Sequence, residues 1–231
     1  MTKHVVISGA NRGIGLELVR HYLKRDLKVT ACCRKIDSQD QLHQLLDNYS
    51  NLSIRRLDVT CAESISEFSA SIDDSSVDLL INNAGYYGPK GYRLGETDVD
   101  EWLKVLQINT IAPLKVVEAL LPKLNTKQPA VIACISSKMG SMADNTSGGS
   151  YIYRSSKAAL NAVVKSLALD LNSMGVSCIA LHPGWVQTDM GGPNALITTK
   201  ESVAGMTRVL EDLTIDQSGQ FINYDGQPIP W

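Results

Sequence analysis

Six short runs rich in β-branched and aliphatic residues punctuate the chain, at His4–Ser8, Lys28–Cys33, Leu52–Leu57, Val77–Ile81, Ala130–Ile135 and Val176–Leu181. Between them lie stretches of helical period: Gly13–Arg25, Ser38–Tyr49, Ala62–Ile72, Val99–Leu124 and Ser150–Met174. This alternation constrains the fold more than any single motif does. The runs are apolar throughout instead of at every second residue, as in strands covered on both faces. Strands joined through helices run parallel, and right-handed crossovers wind them into an open sheet. A helix over Thr199–Leu213 and a short strand near Gln220–Asn223 complete a predicted α/β fold, a doubly wound parallel sheet of about seven strands with helices on both faces. Without repeats, low-complexity tracts or linker-like shifts in composition, residues 1–231 read as a single domain. The longest irregular stretches, Gly85–Thr97, Lys138–Gly149 and Gly184–Thr198, each follow a strand, where such sheets bind ligands.

Composition narrows the partners. A net charge of −2 offers no broad basic face to nucleic acid or to an anionic membrane. The apolar runs fall short of the roughly 20 residues that a membrane span needs. The chain opens Met-Thr-Lys-His and enters a strand at once, leaving no room for a signal peptide. Cys32, Cys33, Cys61, Cys134 and Cys178 form no CxxC pair and no Cys/His cluster with zinc spacing. They read as small buried hydrophobes in a reducing compartment, with no metal expected. The expectation is a soluble cytoplasmic protein.

The first strand runs into Ser8-Gly9-Ala10-Asn11-Arg12-Gly13-Ile14-Gly15 and then an amphipathic helix. Glycines there permit positive φ and close approach of backbone to a ligand. The helix start offers unpaired N–H groups to a pyrophosphate. The spacing GxxxGxG makes a longer turn than the commoner GxGxxG. Charge after the second strand sets the nucleotide type. An NAD site wants an acid there for the ribose hydroxyl, but Cys33 stands in its place, followed by Arg34 and Lys35, while Arg12 lies inside the glycine loop. Guanidinium groups facing a 2′-phosphate form charge-assisted bidentate bonds, so NADP(H) is expected. Asp37 lies beyond the strand end and reads as a loop or N-cap residue.

With these features the chain resembles the short-chain dehydrogenase/reductase family and its Rossmann fold. The glycine loop is followed, in that family's order, by Leu57-Asp58-Val59, Asn82-Asn83-Ala84-Gly85, Asn109, Ile135-Ser136-Ser137, Tyr153-Arg154-Ser155-Ser156-Lys157 and Pro183-Gly184. The short ending, Asn223 to Trp231, is similar to the subgroup of sniffer-type carbonyl reductases and C-signal proteins. The resemblance implies cofactor contacts from Gly9, Asn11, Arg12, Gly13, Ile14, Gly15 and Arg34. It gives Asp58 the adenine amino group, with Val59 beside it. Asn82, Ala84 and Gly85 would support the sheet and line the nicotinamide ribose. Pro183, Gly184, Val186 and Thr188 would hold the carboxamide.

Catalysis falls to Asn109, Ser137, Tyr153 and Lys157. Tyr153 and Lys157 stand four apart on one helix face. Reducing a carbonyl needs a proton donor at oxygen, and tyrosine's ordinary pKa near 10 must fall for ready exchange. The Lys157 ammonium and the cofactor's positive ring are expected to lower it, and Lys157 can also donate to the ribose hydroxyls. Ser137 would orient the carbonyl oxygen, with Ser136 and Ser141 as rivals. Pro113 has no N–H, so the carbonyl of Asn109 loses its usual helical partner and can hold a water that reaches Lys157. Tyr86, Tyr87, Met139 and Trp185 lie in adjoining loops as weaker candidates for substrate contact.

The expected activity is NADP(H)-dependent interconversion of carbonyls and alcohols on a small-molecule substrate, and resemblance to that subgroup implies a carbonyl reductase. The rival readings are a nucleotide-binding signalling protein with little turnover and an epimerase or dehydratase on the same fold. The resemblance further implies a homodimer, or a tetramer, built on the two long helices. Leu103, Leu106, Thr110, Leu114 and Val117 on one and Ala158, Ala159 and Ala162 on the other are the expected contacts.

Overall fold

The computed structural model describes residues 3–74, 76–125 and 128–231; Met1, Thr2, Ser75, Thr126 and Lys127 lie outside the described residues. Seven strands form one sheet: β1 (His4–Ser8), β2 (Lys28–Cys33), β3 (Leu52–Arg56), β4 (Leu79–Asn82), β5 (Ala130–Ile135), β6 (Val176–His182) and β7 (Phe221–Asn223). Their order is β3-β2-β1-β4-β5-β6-β7, and every pair is parallel. The winding reverses between β1 and β4, which opens a crevice beyond their carboxyl ends. Side chains alternate across the sheet. Val6, Leu80, Ile132 and Cys178 enter one core layer, and Val5, Ile7, Ile81 and Ile179 enter the other.

Six α-helices cover the two faces: α1 (Gly13–Lys24), α2 (Ala62–Ala70), α3 (Val99–Leu106), α4 (Ala112–Leu120), α5 (Tyr151–Asp170) and α6 (Thr199–Glu211). Layers of this kind explain the continuously apolar strands, because each strand residue meets a helix on one side or the other. All five cysteines are unpaired, and four of them are buried.

Three expectations change. The helix expected over Ser38–Tyr49 is only a 3₁₀ turn at His43–Asp47. The Asp37 and Asp40 carboxylates accept from the Gln39 and His43 amides, so short polar side chains take up donors that a longer helix would have used. Asp37 is thus the loop residue that its place suggested. The helix expected over Val99–Leu124 is interrupted by a π turn at Gln107–Ile111, where the Ala112 amide donates to the Gln107 carbonyl five residues back. Pro113, lacking its own donor, sits at the start of α4 just beyond the widened turn. Taken whole, Val99–Lys123 is long and apolar enough to cross a membrane by length and composition. Its Val105, Val116, Val117 and Leu120 are nevertheless buried in the protein.

Candidate active site

The crevice begins at the glycine loop, where backbone meets backbone. Gly9 adopts φ +64°, and a Cβ there would lie 2.9 Å from Ala84 Cα. A Cβ on Gly15 would fall 2.2 Å from the Gly9 carbonyl oxygen. The loop therefore closes only with glycine at both positions. Asn83 pins it from the next strand: its Nδ2 donates to the Ser8 and Gly9 carbonyls at 3.0 Å each, and the Ser8 hydroxyl accepts from the Asn83 and Ala84 amides. Helix α1 starts at Gly13 with Arg12 as N-cap, no side-chain cap and no acid in its first turn. Its leading N–H groups thus keep their affinity for an anion. Asn11 is half-buried in the turn and Ile14 packs partly into the core below it.

At the nucleotide end, Asp58 accepts from the Thr60 amide (3.0 Å) and hydroxyl (2.7 Å). These bonds, aided by the Arg34 and Arg56 charges, hold its carboxyl below the usual range. Arg34 is thus close enough to Asp58 to act on it, while Val59 rests against the core. Arg12 is exposed and forms an ion pair with Asp189, from the loop after β6. That pairing joins the glycine loop to the loop after β6 and was not foreseen.

At the other end the chemistry-bearing side chains converge. Ser137 follows β5, accepts from the Met139 amide at 3.2 Å, and lies near enough to the Tyr153 phenol to favour its charged form. The 3₁₀ turn Lys138–Gly140 presses on α5 so closely that a Cβ on Gly140 would lie 2.8 Å from the Lys157 carbonyl carbon. This contact brings the serine to the tyrosine. The rival serines are engaged elsewhere: Ser136 donates to Asn161 Oδ1 (2.6 Å) and Ser141 to the Pro230 carbonyl (2.5 Å).

Lys157 is buried, and its Nζ donates to the Ile135 carbonyl at 2.8 Å. Among the described residues no carboxylate pairs with it. Burial carries its ammonium down to about 8, against a smaller opposite pull from the Cys134 thiol. Burial likewise drives Tyr153 up to about 12; the Ser137 hydroxyl nearby lowers it, and the Tyr87 phenol raises it further. The protein's own groups therefore shift Tyr153 opposite to expectation, because desolvation outweighs a lysine 5.8 Å from its ring.

Asn109 lies in the π turn. Its Oδ1 accepts from the Tyr86 amide (2.8 Å), and its Nδ2 donates to the Tyr86 carbonyl (2.8 Å) and Ser156 Oγ (3.0 Å). Ser156 in turn donates to the Tyr153 carbonyl. The side chain thus ties the loop after β4 to the helix bearing Tyr153 and Lys157. Gly85 lies between: a Cβ there would sit 3.5 Å from Asn109 Oδ1 and 3.8 Å from Lys157 Nζ.

The remaining residues frame the crevice. Asn82 reaches the Pro113 carbonyl at 3.4 Å and the Cys134 sulfur at 3.8 Å, bracing the sheet against α4. The Pro183 carbonyl accepts from Ser202 Oγ. Gly184 has φ +85° and lies against Ile197 and Tyr224. Val186 is buried, and Thr188 accepts from the Gly191 amide while its methyl packs over Gly13. The candidate residues thus lie in or against the loops that follow the strands. Sequence reasoning passed over Ser8, Asn83, Tyr86 and Ser156 as bracing residues. Only the Asn82-Asn83 pair carried any signal, since an amide side chain directly after a strand often ties down neighbouring backbone.

A family model described as short chain dehydrogenase matches residues 3–196. The chain is 45% identical over 164 residues to the C-signal of Myxococcus xanthus, across 71% of this chain and 98% of that protein. Its fold matches the carbonyl reductase Sniffer of D. melanogaster with a TM-score of 0.93 and 37% identity, covering 100% of both chains. It matches the NADPH-bound carbonyl reductase from chicken fatty liver with a TM-score of 0.91 and 37% identity, covering 100% of this chain and 99% of that one.

Proposed function

The chain belongs to the short-chain dehydrogenase/reductase family, and from that premise we propose that it is an NADP(H)-dependent carbonyl reductase in which Tyr153 is the general acid. The observation that carries this reading is the meeting of Tyr153, Ser137 and Lys157 at the carboxyl ends of the strands, with Asn109 bracing their helix. The residues fit the cofactor. The glycine cradle has no room for side chains at Gly9 and Gly15, the start of α1 is bare of acids, and the buried Lys157 ammonium has donors to spare for ribose hydroxyls. NADPH, when bound, would supply the hydride that reduces the carbonyl carbon and would leave a positively charged ring.

The chain's own groups supply the rest. Ser137 donates to the carbonyl oxygen and orients it, and Tyr153 delivers the proton there. Lys157 holds the ribose and favours the phenolate left behind. The phenol starts high, at about 12, so it remains a proton carrier until positive charge is brought close. Arg34, near Asp58, would hold the 2′-phosphate, and Arg12 would join it once released from Asp189. A water on the Asn109 carbonyl returns the proton through Lys157.

The test is NADPH oxidation followed by absorbance with quinones, isatins, aldehydes and ketones. Consumption with at least one class is expected. No turnover on any of them would leave nucleotide binding without catalysis, and product without net cofactor oxidation would point to an epimerase or dehydratase.

We propose a homodimer for the same chain in the cytoplasm. Thr110 and Val117, expected at the interface, are buried within the subunit instead, because the π turn rotates the two halves of the long helix relative to each other. Leu103 on α3, Ile111 at the end of the π turn and Leu169 on α5 are exposed apolar residues that support the pairing. Light scattering at micromolar concentration should give twice the 25.1 kDa chain mass.

A further inference from the structure

Tyr87 stands in the loop after β4, where a substrate contact was expected. Its ring instead lies on Tyr153, with centroids 4.4 Å apart and planes at 23°, a stack that covers one face of the phenol. Its hydroxyl meets Ser150 Oγ at 3.3 Å. Ser150 directly precedes α5 and holds left-handed backbone at φ +48°, a conformation that costs a non-glycine residue about 1 kcal/mol or more. Tyr87 therefore grips the catalytic helix twice, at its strained head and at its proton donor.

The loop that carries Tyr87 is itself held. A Cβ on Gly88 would come 2.8 Å from Val105 Cγ2, so the backbone lies directly on α3. The Lys90 ammonium stands 5.5 Å from the centre of the Tyr87 ring and donates to the Met190 carbonyl at 3.3 Å. These contacts tie the loop to α3 on one side and to the loop after β6 on the other.

We propose that Tyr87 is a positioning residue for Tyr153: its ring fixes the orientation of the phenol and keeps water from that face, so that Tyr153 meets the substrate as a proton donor. This rests on the reading of Tyr153 as general acid. The titratable and charged groups facing Tyr153 are Lys157 from its own helix and Tyr87 from the loop after β4, with Lys90 behind Tyr87 and the Ser137 hydroxyl at the end of β5. Burial is the leading cause of the raised Tyr153 value, and Tyr87 adds to it. Removing the ring admits water, eases ionisation and lets reduction fail at a lower pH.

The experiment compares Tyr87→Leu, Tyr87→Phe and Tyr153→Phe in NADPH-dependent reduction of a ketone from about pH 6 to 12. Tyr87→Leu should lose about tenfold in kcat, leave the KM for NADPH within about twofold, and move the alkaline limb of kcat down by about one pH unit. Tyr87→Phe keeps the ring, so its smaller loss should come without movement of the limb. If Tyr87→Leu does not fold, Tyr87→Met carries the same expectations. An unmoved limb in the leucine or methionine variant overturns the proposal, as does a raised substrate KM at unchanged kcat, which would make Tyr87 a wall of the substrate site. Tyr153→Phe separates the two readings. If it keeps its activity, the general-acid assignment falls and this proposal with it; if it is inactive while Tyr87→Leu behaves as wild type, only this proposal falls.

Discussion

The two ends of the crevice hold their charges in opposite ways. At the nucleotide end, Arg12 and Arg34 stand on exposed backbone, and Arg12 is paired with Asp189 in water, both side chains more than two-thirds exposed. At the chemical end, Tyr153 and Lys157 are sunk into one helix against β5, and burial is the leading cause that carries Tyr153 up to about 12 and Lys157 down to about 8. Exposed pairs contribute about 0–1 kcal/mol and are screened by salt, whereas buried groups feel the low dielectric fully. Selectivity for the nucleotide should therefore be soft and additive, and catalysis brittle.

The sharpest way to break this contrast is Tyr153→Phe. It should lower kcat by about 10²–10⁴-fold with NADPH binding nearly intact, because only the proton donor is lost. Fluorescence titration with NADPH beside steady-state kinetics measures both, and retention of more than about a tenth of activity would show the buried tyrosine to be dispensable.

Lys157→Met should abolish most turnover and weaken NADPH by about tenfold, while raising the melting temperature of the cofactor-free protein at neutral pH. Lys157 titrates near 8 in the fold against 10.5 for an ordinary lysine. Between those values the unfolded chain binds more protons, so stability contributed through this group climbs as pH rises through that window. The variant's advantage should accordingly shrink from about pH 8 to 10.5 in thermal melts. An advantage that holds constant across that range would mean that the buried ammonium costs the fold nothing.

At the exposed end the effects shrink. Arg34→Ala combined with Cys33→Asp should move preference from NADPH toward NADH by about tenfold, or 1.4 kcal/mol, measured as the ratio of kcat/KM for the two cofactors. Equal use of both by the wild-type protein would remove the basis for this assignment. Asp189→Asn, which releases Arg12, should tighten NADPH by only about two- to threefold and lose that gain at high salt. A tenfold change from this exposed pair would erase the distinction between the two ends.

Much of this molecule is legible from neighbours in the chain. The glycine loop, the bare start of α1 and the four-residue step from Tyr153 to Lys157 are local patterns whose geometry follows from helix period and backbone sterics. Pro113 marked a break near Asn109 in the same way. The Ser38–Tyr49 pattern misled because period alone does not weigh the side chains of Asp37 and Asp40, which compete for the amides that a helix would need. The interface stripe was drawn on an unbroken helix, and the π turn at Gln107–Ile111 turned Thr110 and Val117 inward.

The sequence by itself determined the parallel α/β sheet and the tight glycine loop, which follow from residue type at short spacing, and its resemblance to the family named the candidate catalytic side chains. Only the tertiary structure decided that Tyr87 stacks on Tyr153, that Asn109 braces the catalytic helix through Ser156, that Arg12 turns to Asp189, and that desolvation raises Tyr153. These pairs come from segments separated by tens to more than a hundred residues. Packing density and local dielectric arise only when such segments close on one another, and no window along the chain contains them.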